Sequence, residues 1–336
     1  MLSIKRFLLQ IFVLAGMLLG LPLLGVVAAG YPIARYLQFP PRTVYVSHAP
    51  FSWLAFAGFA VFILAVVVPL AVKGVQTCRK DSLQVARSPS HRFSWWGWAG
   101  LGAGIVAWIM AWTRFSWFAA FQPHTFSPLW LSYVVVVNAL CRKKTGRCLM
   151  TDRPGFFLLL FPVSAVFWWF FEYLNRFVQN WHYTGTAFSG WEYFWWATLC
   201  FSTVLPAVLS TRQWLLSVNW IQRGYTGFSR NRWPYPRLLA AVVLVLSAAG
   251  LVGIGVWPNG LFPLVWVSPL LIIICLQALM HPCHVFSTMA AGDWRGAVAA
   301  AVAAVVCGVF WEMWNYFSLA KWQYSVPLVN RFQIFR

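Results

Sequence analysis

The sequence predicts an all-α fold: a polytopic transmembrane helix bundle of about nine spans with a partial internal parallel repeat. Composition indicates this first, because apolar residues make up 61% of the 336 residues and charged residues only 9%. A soluble domain carries roughly 25% charged residues. Several apolar runs also reach about 20 residues, the length that crosses a hydrocarbon core of ~30 Å. We therefore expect a single membrane domain over residues 1–336.

Apolar runs separated by charged or turn-forming residues place the spans in order along the chain. The first run follows Lys5 and Arg6, and its length of about 23 residues favours a retained anchor over a signal peptide. The fourth run is short, so three interpretations stay open: a tilted span, a re-entrant segment or a misjudged span. The predicted spans are Phe7–Ala29, Phe51–Val72, Trp95–Trp112, Phe126–Leu140, Phe156–Phe177, Trp191–Leu209, Leu238–Val256, Leu261–Met280 and Ala297–Leu319.

The distribution of Lys and Arg predicts the orientation of these spans. The N-terminus and the loops after spans two, four, six and eight hold 18 of the 25 basic residues. Cytoplasmic loops carry the excess of basic residues in membrane proteins. We therefore expect a bacterial inner-membrane protein with a cytoplasmic N-terminus and an external C-terminal tail. The segment 210–237 mixes Trp and Leu with Arg, and it is predicted to lie along the inner headgroups.

The net charge of +19 does not indicate nucleic-acid binding, because the basic residues lie in short loops between apolar runs. We expect membrane lipids as partners, with a partner membrane subunit as a further candidate, and no nucleic acid. The seven cysteines offer no plausible external pair, so no structural disulfide is expected.

The six acidic residues divide into two groups. The three aspartates, Asp81, Asp152 and Asp293, lie in predicted cytoplasmic loops beside basic residues. The three glutamates instead lie near the outer ends of spans, in aromatic sequence: Glu172 in span five, Glu192 at the start of span six and Glu312 in span nine. Ionisable residues at membrane level usually face a bundle interior or a cavity and mark function.

Two of these glutamates belong to similar segments. Residues 169–185, WFFEYLNRFVQNWHYTG, and 310–327, FWEMWNYFSLAKWQYSVP, both read Glu-x-x-Asn followed by Trp-x-Tyr. The matched pairs are Glu172 with Glu312, Asn175 with Asn315, Trp181 with Trp322, and Tyr183 with Tyr324. Both segments follow odd-numbered spans, so a duplication of residues 156–209 and 297–336 is predicted to be parallel, about an axis near the membrane normal.

Helical spacing predicts the neighbours of each glutamate. Positions i and i+3 share a helix face, so each Glu is expected to stand beside its Asn, which would orient the carboxyl group. Arg176 follows Glu172 at i+4, the favourable order for an ion pair. A structural clasp of this kind is an alternative to a functional site, although Glu312 has Tyr316 at i+4 and no such pair.

These considerations give a candidate site in an outer polar layer. Its predicted catalytic groups are Glu172, Glu312 and Glu192. A carboxyl group in an apolar pocket can act as a general acid, and histidine can relay protons. The predicted substrate-binding residues are Asn175, Asn315, Arg176, His124, His182, Tyr183, Tyr324, Trp181 and Trp322. No metal site is predicted, since HPCH at 281–284 would need ligands from elsewhere. No feature identifies a cofactor.

FWEMWNYFSLAKWQYSVP, with GDWRG at 292–296 and WTRFSWFAAFQPHTFSPLWL from residue 112, resembles a family of uncharacterised Trp-rich bacterial multipass membrane proteins. The resemblance covers most of residues 95–336 and implies a bacterial membrane protein but no function. Its members continue beyond the Trp-x-Tyr-x-Val-Pro segment. In the first copy, moreover, the motif leads into another span, so we expect a tenth span to be missing after residue 336.

Three functions fit these features. The first is a protein with an outward-facing Glu/Asn pocket that handles a lipid or isoprenoid-like substrate. The second is a proton- or cation-coupled transporter or channel, in which the glutamates bind the ion. The third is a structural or assembly subunit, in which the carboxyl groups only hold helices together.

Overall fold

The computed structural model describes residues 2–81, 91–230, 236–280 and 287–331, which fold into helices and one short β-ribbon. Seven helical segments are long and apolar enough to cross a membrane, so the predicted helical multipass class is confirmed. They are Leu8–Ala28, Trp53–Lys80, Gln122–Thr145, Pro154–Val178, Gly190–Leu216, Pro236–Ile254 and Arg295–Phe317.

In chain order the helices are α1 (Leu2–Ala28), α2 (Ala34–Leu37), α3 (Trp53–Asp81), α4 (Trp95–Trp112), α5 (Phe126–Thr145), α6 (Leu149–Asp152), α7 (Pro154–Val178), α8 (Gly190–Ser202), α9 (Val204–Leu216), α10 (Asn219–Gly224), α11 (Pro236–Ile254), α12 (Pro258–Leu261), α13 (Leu264–Met280), α14 (Ser287–Ala290) and α15 (Arg295–Phe317). The strands are β1 (Trp181–Thr184) and β2 (Lys321–Tyr324). Of the predicted spans outside the seven, α4 has 18 residues and five tryptophans, and α13 is a shorter apolar helix of 17 residues.

Two predicted span ends were too early. The fourth span, α5, is one uninterrupted helix of 20 residues that continues to Thr145 and ends at Gly146, whose φ is 75°. It is therefore not a re-entrant segment. The sixth span continues to Leu216, because Gln213 accepts a hydrogen bond from the Leu149 N–H and Arg212 donates to the Gly296 carbonyl. These two polar side chains bond backbone groups at the starts of α6 and α15, and they do not end the helix.

Part of the predicted interfacial segment 210–237 packs against the helix bundle. After α9, the short helix α10 contacts α3, and the Tyr225 hydroxyl donates to the Leu70 carbonyl at 2.6 Å. Thr226 forms an isolated β-bridge with Asp293, which in turn is ion-paired with Arg295 at 2.7 Å. Residues 231–235 of this loop lie outside the described residues, as does the end of the second repeat-like segment from residue 332.

Three apolar clusters form the core, and the smallest contains Leu215, Ile221, Ala299 and Ala303. The other two are larger. One joins α1, α7, α11 and α13 and includes Val26 and Leu251, both fully buried. The other joins α4, α5, α9 and α15 and includes Trp130 and Trp314. Helix α7 contributes to both, because its C-terminal half packs in the first cluster and Phe157 in the second. The helix that carries Glu172 is therefore fixed along its whole length.

A polar contact shapes the helix pair that carries the site. Between α8 and α9 the helical hydrogen bonding is interrupted, and Pro206 lacks the N–H that would continue it. The Ser164 hydroxyl of α7 fills the gap: it donates to the Phe201 carbonyl at 2.5 Å and accepts from the Leu205 N–H at 3.0 Å. This serine ties the end of α8 and the start of α9 to the middle of α7.

Candidate functional site

Glu172 lies in the last two turns of α7 and is only 2% exposed. Its Oε1 atom accepts two hydrogen bonds, from the indole N–H of Trp181 at 2.8 Å and from the hydroxyl of Tyr183 at 2.6 Å. Both donors are neutral groups. A buried carboxyl group needs hydrogen-bond partners, and here they come from the strand that directly follows its own helix.

The chain reverses at the end of α7 to bring β1 back over that helix. Gln179 has a left-handed backbone, with φ 49° and its N–H bonded to the Asn175 carbonyl. The Asn175 side chain donates to the Trp181 carbonyl at 2.8 Å and accepts from the N–H groups of Asn180 and Trp181 at 2.8 and 3.4 Å. The expectation that Asn175 orients the carboxyl group directly is therefore wrong. It holds the strand that supplies the donors.

The second segment repeats much of this arrangement. Asn315 donates to the Trp322 carbonyl at 2.9 Å and accepts from the Trp322 N–H at 3.1 Å. The Tyr324 hydroxyl donates to Glu312 at 2.6 Å. One contact differs, because the indole N–H of Trp322 donates to the Tyr324 hydroxyl at 3.0 Å, whereas that of Trp181 donates to Glu172. Glu312 is also only partly buried, and Asn315, like Asn175, does not contact its carboxyl group.

The two Trp-x-Tyr elements pair with each other. Strands β1 and β2 form an antiparallel ribbon in which Trp181 lies opposite Tyr324 and Tyr183 opposite Trp322. Between these pairs His182 lies opposite Gln323. The register maps each Trp of one element onto the Tyr of the other, so exchanging the two strands leaves the pairing unchanged.

Residues 38–50 cover the site, although the sequence analysis did not assign them to it. Residues 38–50 run between α2 and α3, and Gln179 holds them with bonds from the Tyr45 and Val46 N–H groups, both at 2.9 Å, and to the Thr43 carbonyl. The imidazole of His48 bonds the Val178 carbonyl at 2.9 Å and the Ser325 hydroxyl at 2.7 Å. The sequence signal available was its three prolines, which disfavour a helix.

These elements enclose a cavity of about 850 Å³. Residues of the 38–50 segment, the end of α7 and the ribbon contribute most of its polar lining. Aromatic residues from the helices also line it: Phe126, Trp196, Phe201 and Trp311. A volume of this size holds a small organic ligand.

The cavity contains seven of the twelve predicted site residues: Glu172, Asn175, Arg176, Trp181, His182, Tyr183 and Trp322. Glu312, Glu192, Asn315, Tyr324 and His124 are not among the described residues that line it. The three glutamates therefore do not meet in this cavity. Helix α15 contributes Trp311 to the lining, and the following residue, Glu312, bonds to Tyr324 outside it.

Glu192 and His124 have other contacts. Glu192 is exposed and forms a capping box with Ser189: its carboxylate accepts from the Ser189 N–H at 2.9 Å, and its own N–H donates to the Ser189 hydroxyl at 3.3 Å. This contact stabilises the start of α8. His124 stacks on Trp196 with ring centroids 3.7 Å apart. Glu192 thus stabilises α8, and His124 packs on Trp196, which lines the cavity.

The predicted ion pair between Glu172 and Arg176 is not formed. In the described part of the chain, the guanidinium of Arg176 donates to the Gln38 carbonyl, and no N–O distance to Glu172 is within 4.0 Å. Its positive charge still acts on Glu172 and on Tyr193. The side chain thus joins the covering segment to α7 and contributes a charge to the cavity.

Tyr193, the residue after Glu192, was missed. It lies one turn inside α8 and lines the cavity, and its hydroxyl approaches Glu172. The hydroxyl is buried and has no hydrogen-bond partner among the described residues. A buried, unsatisfied hydroxyl costs about 1–3 kcal/mol. The only sequence signal was its place in the aromatic run WEYFWW, where nothing distinguishes it from its neighbours.

The two ribbon tyrosines remain proton donors over the whole physiological range. Burial, and then the neighbouring Glu172 carboxyl group, raise the pKa of Tyr183 well above its usual value. Burial, followed by the hydrogen bond to Glu312, likewise raises the pKa of Tyr324. Each hydroxyl therefore stays protonated and donates to its glutamate.

The described residues contain no group of three or more His, Cys, Asp or Glu side chains that could hold a metal ion, and the six cysteines among them are free. Residues 281–284, HPCH, lie outside that part of the chain. Comparison with protein-family models, with curated protein sequences and with solved structures finds no match to this chain.

Proposed function

We propose that the chain is a bacterial inner-membrane protein of nine spans, in which α4 and α13 cross the membrane beside the seven longer helical segments. Packing supports this, because α4 lies along α5 and α13 lies along α11. With the basic loops in the cytoplasm, the β-ribbon and the cavity face outward. Reaction of externally added, membrane-impermeant thiol reagents with single cysteines at positions 182 and 143 would test the orientation: only the first should react.

The segments 156–209 and 297–336 are, in this proposal, parallel repeats about a local two-fold axis through the ribbon. The matched Asn–backbone and Tyr–Glu hydrogen bonds support it, as does the register that exchange of the strands preserves. The repeats have diverged around their glutamates, since Glu172 is buried beside the cavity and Glu312 is partly exposed outside it.

The function that the site supports best is the handling of a lipid or isoprenoid-like molecule in the outward-facing cavity. The observation that supports it is a buried carboxyl group on a cavity lined by both polar and aromatic residues. An amphiphile has a polar headgroup and an apolar chain that match these two kinds of lining. Glu172 serves as the acid or base, or as a ligand of the polar headgroup, and Asn175, Trp181 and Tyr183 hold it in place.

Native mass spectrometry of the purified full chain tests this function. A co-purifying lipid is expected in the wild type. Ala197→Trp places a large ring in the cavity wall and should remove the lipid. Val166→Trp, on the same bundle but at a 72% exposed position of α7, is the matched control and should retain it.

Glu172→Gln separates a functional carboxyl group from a structural one. We expect the variant to fold and to accumulate unprocessed lipid. A lower melting temperature with unchanged lipid content and no loss of activity would instead identify Glu172 as a helix clasp. Absence of lipid from the wild type, together with no binding of added lipid, would contradict the proposed function.

A further inference from the structure

The charges around the cavity are unbalanced. Among the described residues that line it, Arg42, Arg176 and Lys321 carry positive charge, and Glu172 is the carboxyl group. Arg42 is exposed, and the other two are partly buried. The lining thus has three cationic side chains and one carboxyl group. This excess of positive charge favours an anion, because a negatively charged ligand offsets the repulsion between the cations.

Arg176 has the capacity to bind such an anion. A guanidinium carries five N–H donors, and in the described part of the chain Arg176 uses one nitrogen, on the Gln38 carbonyl. The remaining donors belong to a side chain that lines the cavity and is anchored by that bond. The planar guanidinium matches the oxygen atoms of carboxylate and phosphate groups.

Two further polar groups line the cavity with Arg176. The Tyr193 hydroxyl is buried in the cavity wall near the Glu172 carboxyl group, without a hydrogen bond of standard geometry to a described residue. On Glu172, Oε1 accepts both bonds from the ribbon. The site therefore offers donors from Arg176 and Tyr193 and an acceptor from Glu172. A ligand with acceptor oxygens and an O–H group matches these groups.

We infer that the cavity binds an amphiphile whose headgroup is a terminal phosphate, as a monoester or a diphosphate, with its oxygens on Arg176, Arg42, Lys321 and Tyr193 and its P–OH on Glu172. This inference rests on the proposed function and names its substrate class. A phosphate monoester, whose second pKa is about 6, keeps a P–OH in part of its population near neutral pH. A carboxylate or a phosphodiester anion has none. The aromatic residues of the lining contact the hydrocarbon chain.

Binding of paired ligands to the purified full chain in a neutral detergent tests the headgroup. The probes are farnesyl phosphate with farnesol, phosphatidic acid with diacylglycerol, phosphatidylglycerol as a diester, and inorganic phosphate. We expect each monoester to bind at least tenfold more tightly than its uncharged partner and more tightly than the diester. The pair with the larger difference in affinity shows whether the phosphate belongs to an isoprenoid or to a glycerolipid. Inorganic phosphate should compete only weakly, since it lacks the chain.

Variants localise the effect. Arg176→Gln should weaken binding of the monoester at least tenfold and leave the uncharged partner unaffected. Arg142→Gln removes the same charge from an exposed position at the end of α5, far from the cavity lining, and should change nothing. Lys321→Gln provides a second test if Arg176→Gln does not fold.

The possible failures are distinguishable. Equal binding of farnesol and farnesyl phosphate, or no effect of either cation variant, would overturn the phosphate headgroup and leave the lipid-handling function standing. Inorganic phosphate binding as tightly as farnesyl phosphate would overturn the amphiphile and indicate a simple anion site. If neither the phosphorylated nor the uncharged lipids bind, the proposed function fails as well.

Discussion

The hydroxyl of Tyr183 donates a 2.6 Å hydrogen bond to Glu172, eleven residues earlier in the chain, across the reversal between α7 and β1. The hydroxyl of Tyr324 donates to Glu312 at the same distance, twelve residues earlier. The two bonds have the same chemistry but different surroundings. The first lies beside a cavity of about 850 Å³, and the second involves a carboxyl group that does not line it. This difference makes the second motif a control for the first.

Tyr183→Phe should reduce lipid binding, whereas Tyr324→Phe should not. Each change removes one donor to a glutamate, so each should lower stability by about 1–2 kcal/mol. Only Tyr183 acts on the carboxyl group in the cavity. Lipid content by native mass spectrometry and melting temperature in detergent measure the two effects separately. An equal loss of lipid in both variants would contradict the prediction that lipid binding depends on Glu172 and not on Glu312.

Asn175→Ala and Asn315→Ala should both destabilise the ribbon. Each asparagine is buried and bonds backbone groups of the strand that follows its helix. Removing the amide leaves those groups unsatisfied, at about 1–3 kcal/mol for each variant. Gln323→Ala, at an exposed position of β2, should cost under about 0.5 kcal/mol. Thermal unfolding of the three variants in the same detergent checks the ranking, and a Gln323 variant as unstable as the others would refute it.

Gly185→Ala should be more damaging than Gly227→Ala. Both glycines have a left-handed backbone, with φ of 87° and 71°. An alanine in that conformation costs roughly 1–2 kcal/mol. A Cβ on Gly185 would also lie 1.8 Å from the Leu319 carbonyl oxygen, while one on Gly227 would meet nothing within 4 Å. Gly185→Ala should therefore lower the melting temperature further and reduce lipid content. Equal melting temperatures would show that the ribbon end can move without penalty.

Ionisation of Tyr45 in strong alkali should destabilise residues 38–50, the segment that covers the cavity. Burial, and then the neighbouring Tyr36, raise the pKa of Tyr45 to about 12, and its hydroxyl donates to the Arg176 carbonyl. The unfolded-state pKa is about 10. The stabilising free energy from the protonated Tyr45 hydroxyl is therefore fully present below pH 10 and is lost as the pH rises through 12. The loss is no more than about 3 kcal/mol.

Tyr45→Phe isolates that contribution. It lacks the ionisable hydroxyl, so the melting-temperature difference between wild type and variant should narrow from pH 9 to pH 12. The other tyrosines are present in both proteins and cancel in the comparison. A difference that stays constant over this range would show that ionisation of Tyr45 is not coupled to unfolding.

The helical membrane class could be predicted from composition, because burying polar backbone in a bilayer leaves helices as the one arrangement for long apolar runs. The Glu-x-x-Asn and Trp-x-Tyr pattern likewise identified Glu172, Trp181 and Tyr183 as neighbours of interest. Span ends were less predictable. Arg212 and Gln213 look like loop residues in sequence, but they continue α9 because they bond to distant backbone groups.

The residues of the sequence thus determined, by themselves, a Trp-rich helical bundle and the short-range motif that surrounds a buried glutamate. Only the tertiary structure decided that Asn175 holds a strand and not the carboxyl group, that Glu192 caps a helix, and that Tyr193 and the segment 38–50 complete the cavity. The reason is physical. Helical periodicity fixes which side chains share a face, but which groups a polar side chain bonds depends on backbone brought near by chain reversals and packing.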